Sequence, residues 1–211
     1  MATLATVRAK IASVLQDDSL QSVSAANVDA IINDSIAFYK HQAFWFNEAK
    51  ADLVCVTGDP VLSGLPSDFL CELSHGGLTL FYANVYYGIE KVSTESYDSR
   101  NISALGLPRV YTFRNNQIEL YPYPNLAFDI KLRYVKDYAE LVGDNDTNDF
   151  LTHMERVIRL DALSRIYFEF KQDKNMSATY AEGATSELEA VKRRSNVKAG
   201  SGTLVIDSVL F

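Results

Sequence analysis

Apolar residues recur at helical spacing at both ends of this chain and at a spacing of two through its middle. Leu4, Val7, Ile11, Val14 and Leu15 form one stripe, which predicts a helix over residues 3–17. Asp17, Asp18 and Ser19 then make a polar break. A second helix is expected over residues 25–46, with Ser24 as its N-cap and Val28, Ile32, Ile36, Tyr39, Ala43 and Phe46 on its apolar face. It closes on Phe44, Trp45 and Phe46, an aromatic cluster suited to anchoring a core.

The period changes to two from about residue 50 to 135. Leu53-Val54-Cys55-Val56-Thr57 is a short β-branched run halted by Gly58-Asp59-Pro60, and Leu65-Pro66-Ser67-Asp68 reads as an extended segment entering a turn. Strands are expected over 78–83 and 85–91, with a polar stretch over 93–106 that has room for a short helix. Two further strands, 109–113 and 117–121, flank Arg114-Asn115-Asn116 and predict a hairpin. Over 128–135 Phe128, Ile130, Leu132 and Tyr134 alternate with Asp129, Lys131 and Arg133, the pattern of a strand with one buried face.

A turn-rich acidic loop over 143–149 precedes a long helix over 150–173. Leu151, Met154, Ile158, Ala162 and Ile166 form one stripe of it, and Leu160, Leu163, Tyr167 and Phe170 a neighbouring one. So wide an apolar face belongs to a helix packed on more than one side. A last helix is expected over 176–195, carrying Ala181, Ala184, Leu188 and Val191, followed by Gly200-Ser201-Gly202 and a second apolar run. The first and last helices must meet to bury their stripes. The fold class expected is therefore α+β: a helical bundle formed by the N- and C-terminal helices (1–48 and 149–199), with an inserted antiparallel β-rich domain (49–148) and an apolar C-terminal arm (200–211).

Composition narrows the function. The 211 residues are 47% hydrophobic and 22% charged, a globular balance rather than a disordered one. A net charge of −7 repels phosphate at long range, so tight nucleic-acid binding is not expected, although such a wall suits a channel through which DNA slides. No apolar run is long enough to span a membrane, and the first residues are spaced as a helix rather than a signal peptide, which points to synthesis in a cytoplasm. Cys55 and Cys71 are expected as reduced, buried thiols.

Catalytic and cofactor signatures are absent. His41, His75 and His153 are scattered without metal-ligand spacing, and no nucleophile elbow or phosphate-binding glycine loop occurs. Cys71 with His75 is the one thiol–imidazole spacing. Asp144, Asp146, Asn148 and Glu155 fall at calcium-loop positions one, three, five and twelve, but Asp149 stands where the loop needs glycine. The same residues suit a polar turn capping a helix, and Thr152 with Glu155 would form a capping box if that helix starts late. Lys192, Arg193, Arg194 and Lys198 read as a helix end complementing its dipole, ahead of a DNA or partner contact. No catalytic, cofactor or metal residue is therefore expected. The candidate functional residues are those of the apolar arm: Leu204, Val205, Ile206, Val209, Leu210 and Phe211, a surface costly to leave in water and suited to a partner, with folding back onto its own sheet or disorder as the alternatives open on the sequence.

Three passages resemble the head–tail adaptor family of short-tailed bacteriophages. They are Phe44-Trp45-Phe46-Asn47-Glu48 followed by Leu65-Pro66-Ser67-Asp68-Phe69; Ile118-Glu119-Leu120-Tyr121-Pro122-Tyr123-Pro124-Asn125 with the alternating strand through Tyr134; and the long helix 150–170 with its alanine-spaced successor. The resemblance implies a structural subunit at the head–tail junction of a virion, made in the host cytoplasm. It implies a self-assembled ring of twelve, partners in the portal protein and a downstream tail protein (nozzle or tail fibre), and a channel that DNA traverses without specific binding. It implies no catalytic site, cofactor or membrane contact. Two other readings remain open on the sequence: another tail or collar structural protein, and a glycan-binding β module using Tyr82, Tyr86, Tyr87, Tyr111, Tyr121 and Tyr123.

Overall fold

A computed structural model describes residues 2–17, 20–73, 77–100 and 104–198. The chain divides into two compact units, one made of the residues up to Asn47 together with those from Tyr138 onward, the other spanning Glu48–Asp137. The fold is α+β, terminal helices flanking a β-rich segment.

The helical unit contains α1 (Leu4–Leu15), α2 (Ala25–Tyr39), α4 (Asp149–Glu169) and α5 (Lys174–Lys198). Thr3 and Thr6 form a reciprocal capping box at the start of α1, and Ser24 caps α2 by accepting from the Asn27 N–H. α4 packs against α1, α2 and α5, which explains its two apolar stripes. Leu4, Ile11, Ile32, Phe44, Phe150, Ile158 and Ile166 close one core, each fully buried and each contributing roughly 1.5–3 kcal/mol by leaving water.

Two expectations are corrected here, the end of α2 and the boundary between the units, while the polar turn caps α4 as expected. α2 ends at Tyr39 and not at Phe46, because the buried Asn47 captures the chain that follows: its Oδ1 accepts the Phe44 N–H (2.7 Å) and its Nδ2 donates to the Gln42 carbonyl (2.8 Å). The turn so formed still delivers Phe44 and Phe46 to the core. α4 starts at Asp149, capped by Asn148 through the Leu151 N–H (3.0 Å), so Thr152 lies inside the helix and donates back to the Asn148 carbonyl. The boundary expected at 148/149 falls at 137/138. Leu141 is buried in the helical core, Asn33 bonds both the N–H and the carbonyl of Leu141 at 2.9 Å, and the Leu4 N–H donates to the Asp146 carbonyl. α4 also carries a kink at Met154, whose φ of −139° and ψ of 33° leave the helical region.

Among its described residues the β-rich unit holds ten strands and the short helix α3 (Thr94–Asp98). The strands are β1 (Glu48–Val54), β2 (Val61–Leu62), β3 (Phe69–Glu72), β4 (Leu78–Tyr82), β5 (Val85–Lys91), β6 (Leu105–Gly106), β7 (Val110–Arg114), β8 (Gln117–Tyr121), β9 (Tyr123–Pro124) and β10 (Asp129–Lys136). The main sheet runs β1-β10-β4-β5-β7-β8-β2, with β3 also paired to β10, while β6 and β9 form a small parallel pair. Pairing is antiparallel throughout the main sheet except between β5 and β7. Ala83-Asn84 and Asn115-Asn116 all adopt positive φ and make the two-residue loops of the β4–β5 and β7–β8 hairpins. β10 lies between β1 and β4 and alternates as expected, Ile130, Leu132 and Tyr134 joining Leu78, Leu80, Ile118 and Leu120 in a second core.

Candidate interaction surfaces

The arm residues Leu204, Val205, Ile206, Val209, Leu210 and Phe211 lie outside the described residues, which end at Lys198. Val191 and Ser195 bury the inner face of the last turns of α5. Ser195 Oγ accepts the Trp45 N–H at 2.9 Å, and the Lys198 ammonium sits 4.4 Å from the centre of the Trp45 ring. Trp45 packs in turn on Phe46 and His153, and Phe46 on Phe44 and Phe150. Of the basic group Lys192, Arg193, Arg194 and Lys198, the last is thus engaged in fixing the helix end, where its charge also opposes the negative pole of α5.

The acidic loop does not converge on a cation. Asp146 Oδ2 accepts the N–H groups of Val142 and Gly143, which hold its carboxyl below the ordinary value. Asp144 pairs with Arg8, which also forms a bidentate pair with Asp29. Asn148 caps α4, and Glu155 pairs with Arg159 and Lys10. The four residues thus serve a turn, an ion pair, a cap and a helix face. Among the described residues no group of three or more histidine, cysteine or carboxylate side chains is arranged to hold a metal.

The remaining chemistry-bearing residues are dispersed. Burial pushes the thiols of Cys55 and Cys71 up, away from a reactive thiolate. His75, the partner considered for Cys71, lies outside the described residues. Tyr86 stands opposite Phe81 and Tyr87 opposite Leu80, so adjacent tyrosines face opposite sides of β5. Tyr111 is buried. Tyr86, Tyr87 and Tyr111 therefore do not share one stacking platform.

Exposed apolar groups gather on each unit separately. In the helical unit Phe38 is 60% exposed beneath the Arg165 guanidinium, and Phe168, one turn further along α4, is 59% exposed. In the β-rich unit Tyr82, Val85, Tyr86 and Tyr87 crowd the β4–β5 hairpin. A shallow groove beside it is lined by Tyr87, Gly88, Leu107, Pro108 and Arg109. Sequence reasoning counted these tyrosines but missed the edge they flank. The signals were Asn84, which fits a tight hairpin turn, and Gly88, which occupies a strand interior. No helix among the described residues is long and apolar enough to cross a membrane.

A family model described as SU10 adaptor protein matches residues 2–205. No curated protein matches the chain.

Proposed function

The chain belongs to the SU10 adaptor protein family, structural phage adaptors rather than enzymes, and from that premise we propose that it forms a ring beneath the portal and joins the phage head to the tail. The ring holds twelve copies, seats a downstream tail protein, and leaves an axial channel for DNA. The observation that carries this reading is the family match across almost the whole chain.

Three physical features support it. A closed ring of identical subunits uses heterologous contacts, so each subunit needs two different adhesive faces. Phe38 with Phe168 on the helical unit, and the aromatic β4–β5 hairpin on the β-rich unit, are two such faces. The net charge of −7 disfavours phosphate contacts, as a channel wall for sliding DNA requires. The apolar residues after Gly202 offer a surface suited to a neighbouring subunit or the portal.

The test is the mass of the purified protein in solution, alone and mixed with its cognate portal ring. A ring, or a monomer that converts to a stoichiometric portal complex, is the expected result. A monomer indifferent to portal would overturn the reading.

A further inference from the structure

The two edges of β5 differ. One is paired along its length with β4, from Val85 opposite Tyr82 to Ile89 opposite Leu78. The other meets β7 only at Glu90 and Lys91. The N–H groups of Glu90 and Val92 donate across that second edge to the carbonyls of Arg109 and Tyr111 (2.9 and 2.8 Å). Backbone groups alternate between edges along a strand, so the N–H and C=O of Tyr86 and Gly88 point the same way, where no described strand continues the ladder.

Open edges are ordinarily blunted by charge, proline or a bulge. The outer edge of β1 follows that rule with Glu48, Lys50 and Asp52. The open stretch of β5 carries Val85, Tyr86, Tyr87 and Gly88 instead, three of them large and exposed. Gly88 has no role within its own unit that demands glycine: its φ is not positive, and a Cβ there would meet nothing within 4 Å. A glycine inside a strand also marks a place where another backbone comes close.

The chain carries a segment of matching character. Residues 203–211, Thr-Leu-Val-Ile-Asp-Ser-Val-Leu-Phe, are mostly apolar and include four β-branched positions. They hold a single charged side chain, Asp207, and the groove at the end of the open edge holds the cationic Arg109. We propose that the arm of one copy adds as a strand to the open edge of β5 in a neighbouring copy, bonding the backbone of Tyr86 and Gly88, covering the hairpin aromatics and bringing Asp207 to Arg109. This rests on the ring reading and assigns its subunit-to-subunit clasp.

The experiment uses full-length chains with Cys71→Ser to remove the half-buried thiol. One population carries Gly88→Cys, and a second carries Leu204→Cys, Ile206→Cys or Ser208→Cys in turn. The two are mixed under assembly conditions, oxidised, and followed by mass and by non-reducing gel. The expected result is assembly together with a mixed disulfide dimer for at least one arm position. Its yield should exceed by at least about tenfold that of an Asp52→Cys control on the edge of β1, since docking raises effective concentration. Assembly without preferential cross-linking at position 88 would overturn the edge proposal and leave the ring standing. Failure of the mixture to assemble, with or without portal, would overturn both.

Discussion

The backbone N–H of Trp45 donates to Ser195 Oγ at 2.9 Å, joining positions 150 residues apart within the helical unit. The bond fixes the last turn of α5 against the aromatic cluster. Ser195→Ala leaves the Trp45 N–H without its partner in a half-buried site. It should lower stability by about 1–3 kcal/mol. A fall in the urea midpoint with an unchanged slope would record this.

Asn33 makes two bonds of 2.9 Å to the backbone of Leu141, one donated and one accepted. They hold the segment after the β-rich unit onto α2. Asn33→Ala should destabilise by about 1–3 kcal/mol, and amide exchange at Leu141 should rise more than exchange in β10. Equal protection of Leu141 in both proteins would show that burial alone holds the segment.

Asp17 accepts hydrogen bonds from the Ser22 hydroxyl and the N–H groups of Ser22 and Gln21, which lower its pKa from the ordinary 3.8 to about 2. The folded chain therefore binds this proton less tightly than the unfolded one. The resulting stability is present above about pH 4 and fades as pH falls toward 2. Asp17→Asn should flatten that part of the stability profile while changing little of it elsewhere. Acid titration of thermal midpoints for both proteins tests this.

Phe168 is largely exposed and belongs to neither buried core. Phe168→Ser should change folding stability by no more than about 0.5 kcal/mol. On the proposed ring it should raise the concentration needed for assembly about tenfold, equivalent to about 1.4 kcal/mol. Analytical ultracentrifugation across a dilution series separates the two effects.

Removal of residues 203–211 should leave the thermal midpoint in place and weaken assembly. A markedly lower midpoint would instead assign the arm to the core of its own chain.

Local chemistry was the legible part of this fold. Ser24 as a cap, the hairpin around Asn115-Asn116 and the alternation through Ile130, Leu132 and Tyr134 each depend on a few neighbouring residues, and each appears in the structure. What escaped depended on partners far along the chain or on competition between two local options. Asn47 outcompetes continuation of α2 by binding the backbone before it, although Phe46 sits at helical spacing. Parallel pairing of β5 with β7 carries no periodic signal, so the incomplete edge it leaves was not visible in the pattern.

The division at 47/48 and 137/138 orders events during synthesis. Helices α1 and α2 leave the ribosome with their apolar stripes bare, and their partners α4 and α5 follow only after the whole β-rich unit has been made. That middle unit is contiguous and has every strand of its core in hand by Lys136, so it is free to fold first. The opening helices must wait for α4 to bring His153 and for α5 to bring Ser195 before Trp45 has all its partners. Until then the nascent chain carries an unburied aromatic cluster, which is the interval in which a chaperone would find it.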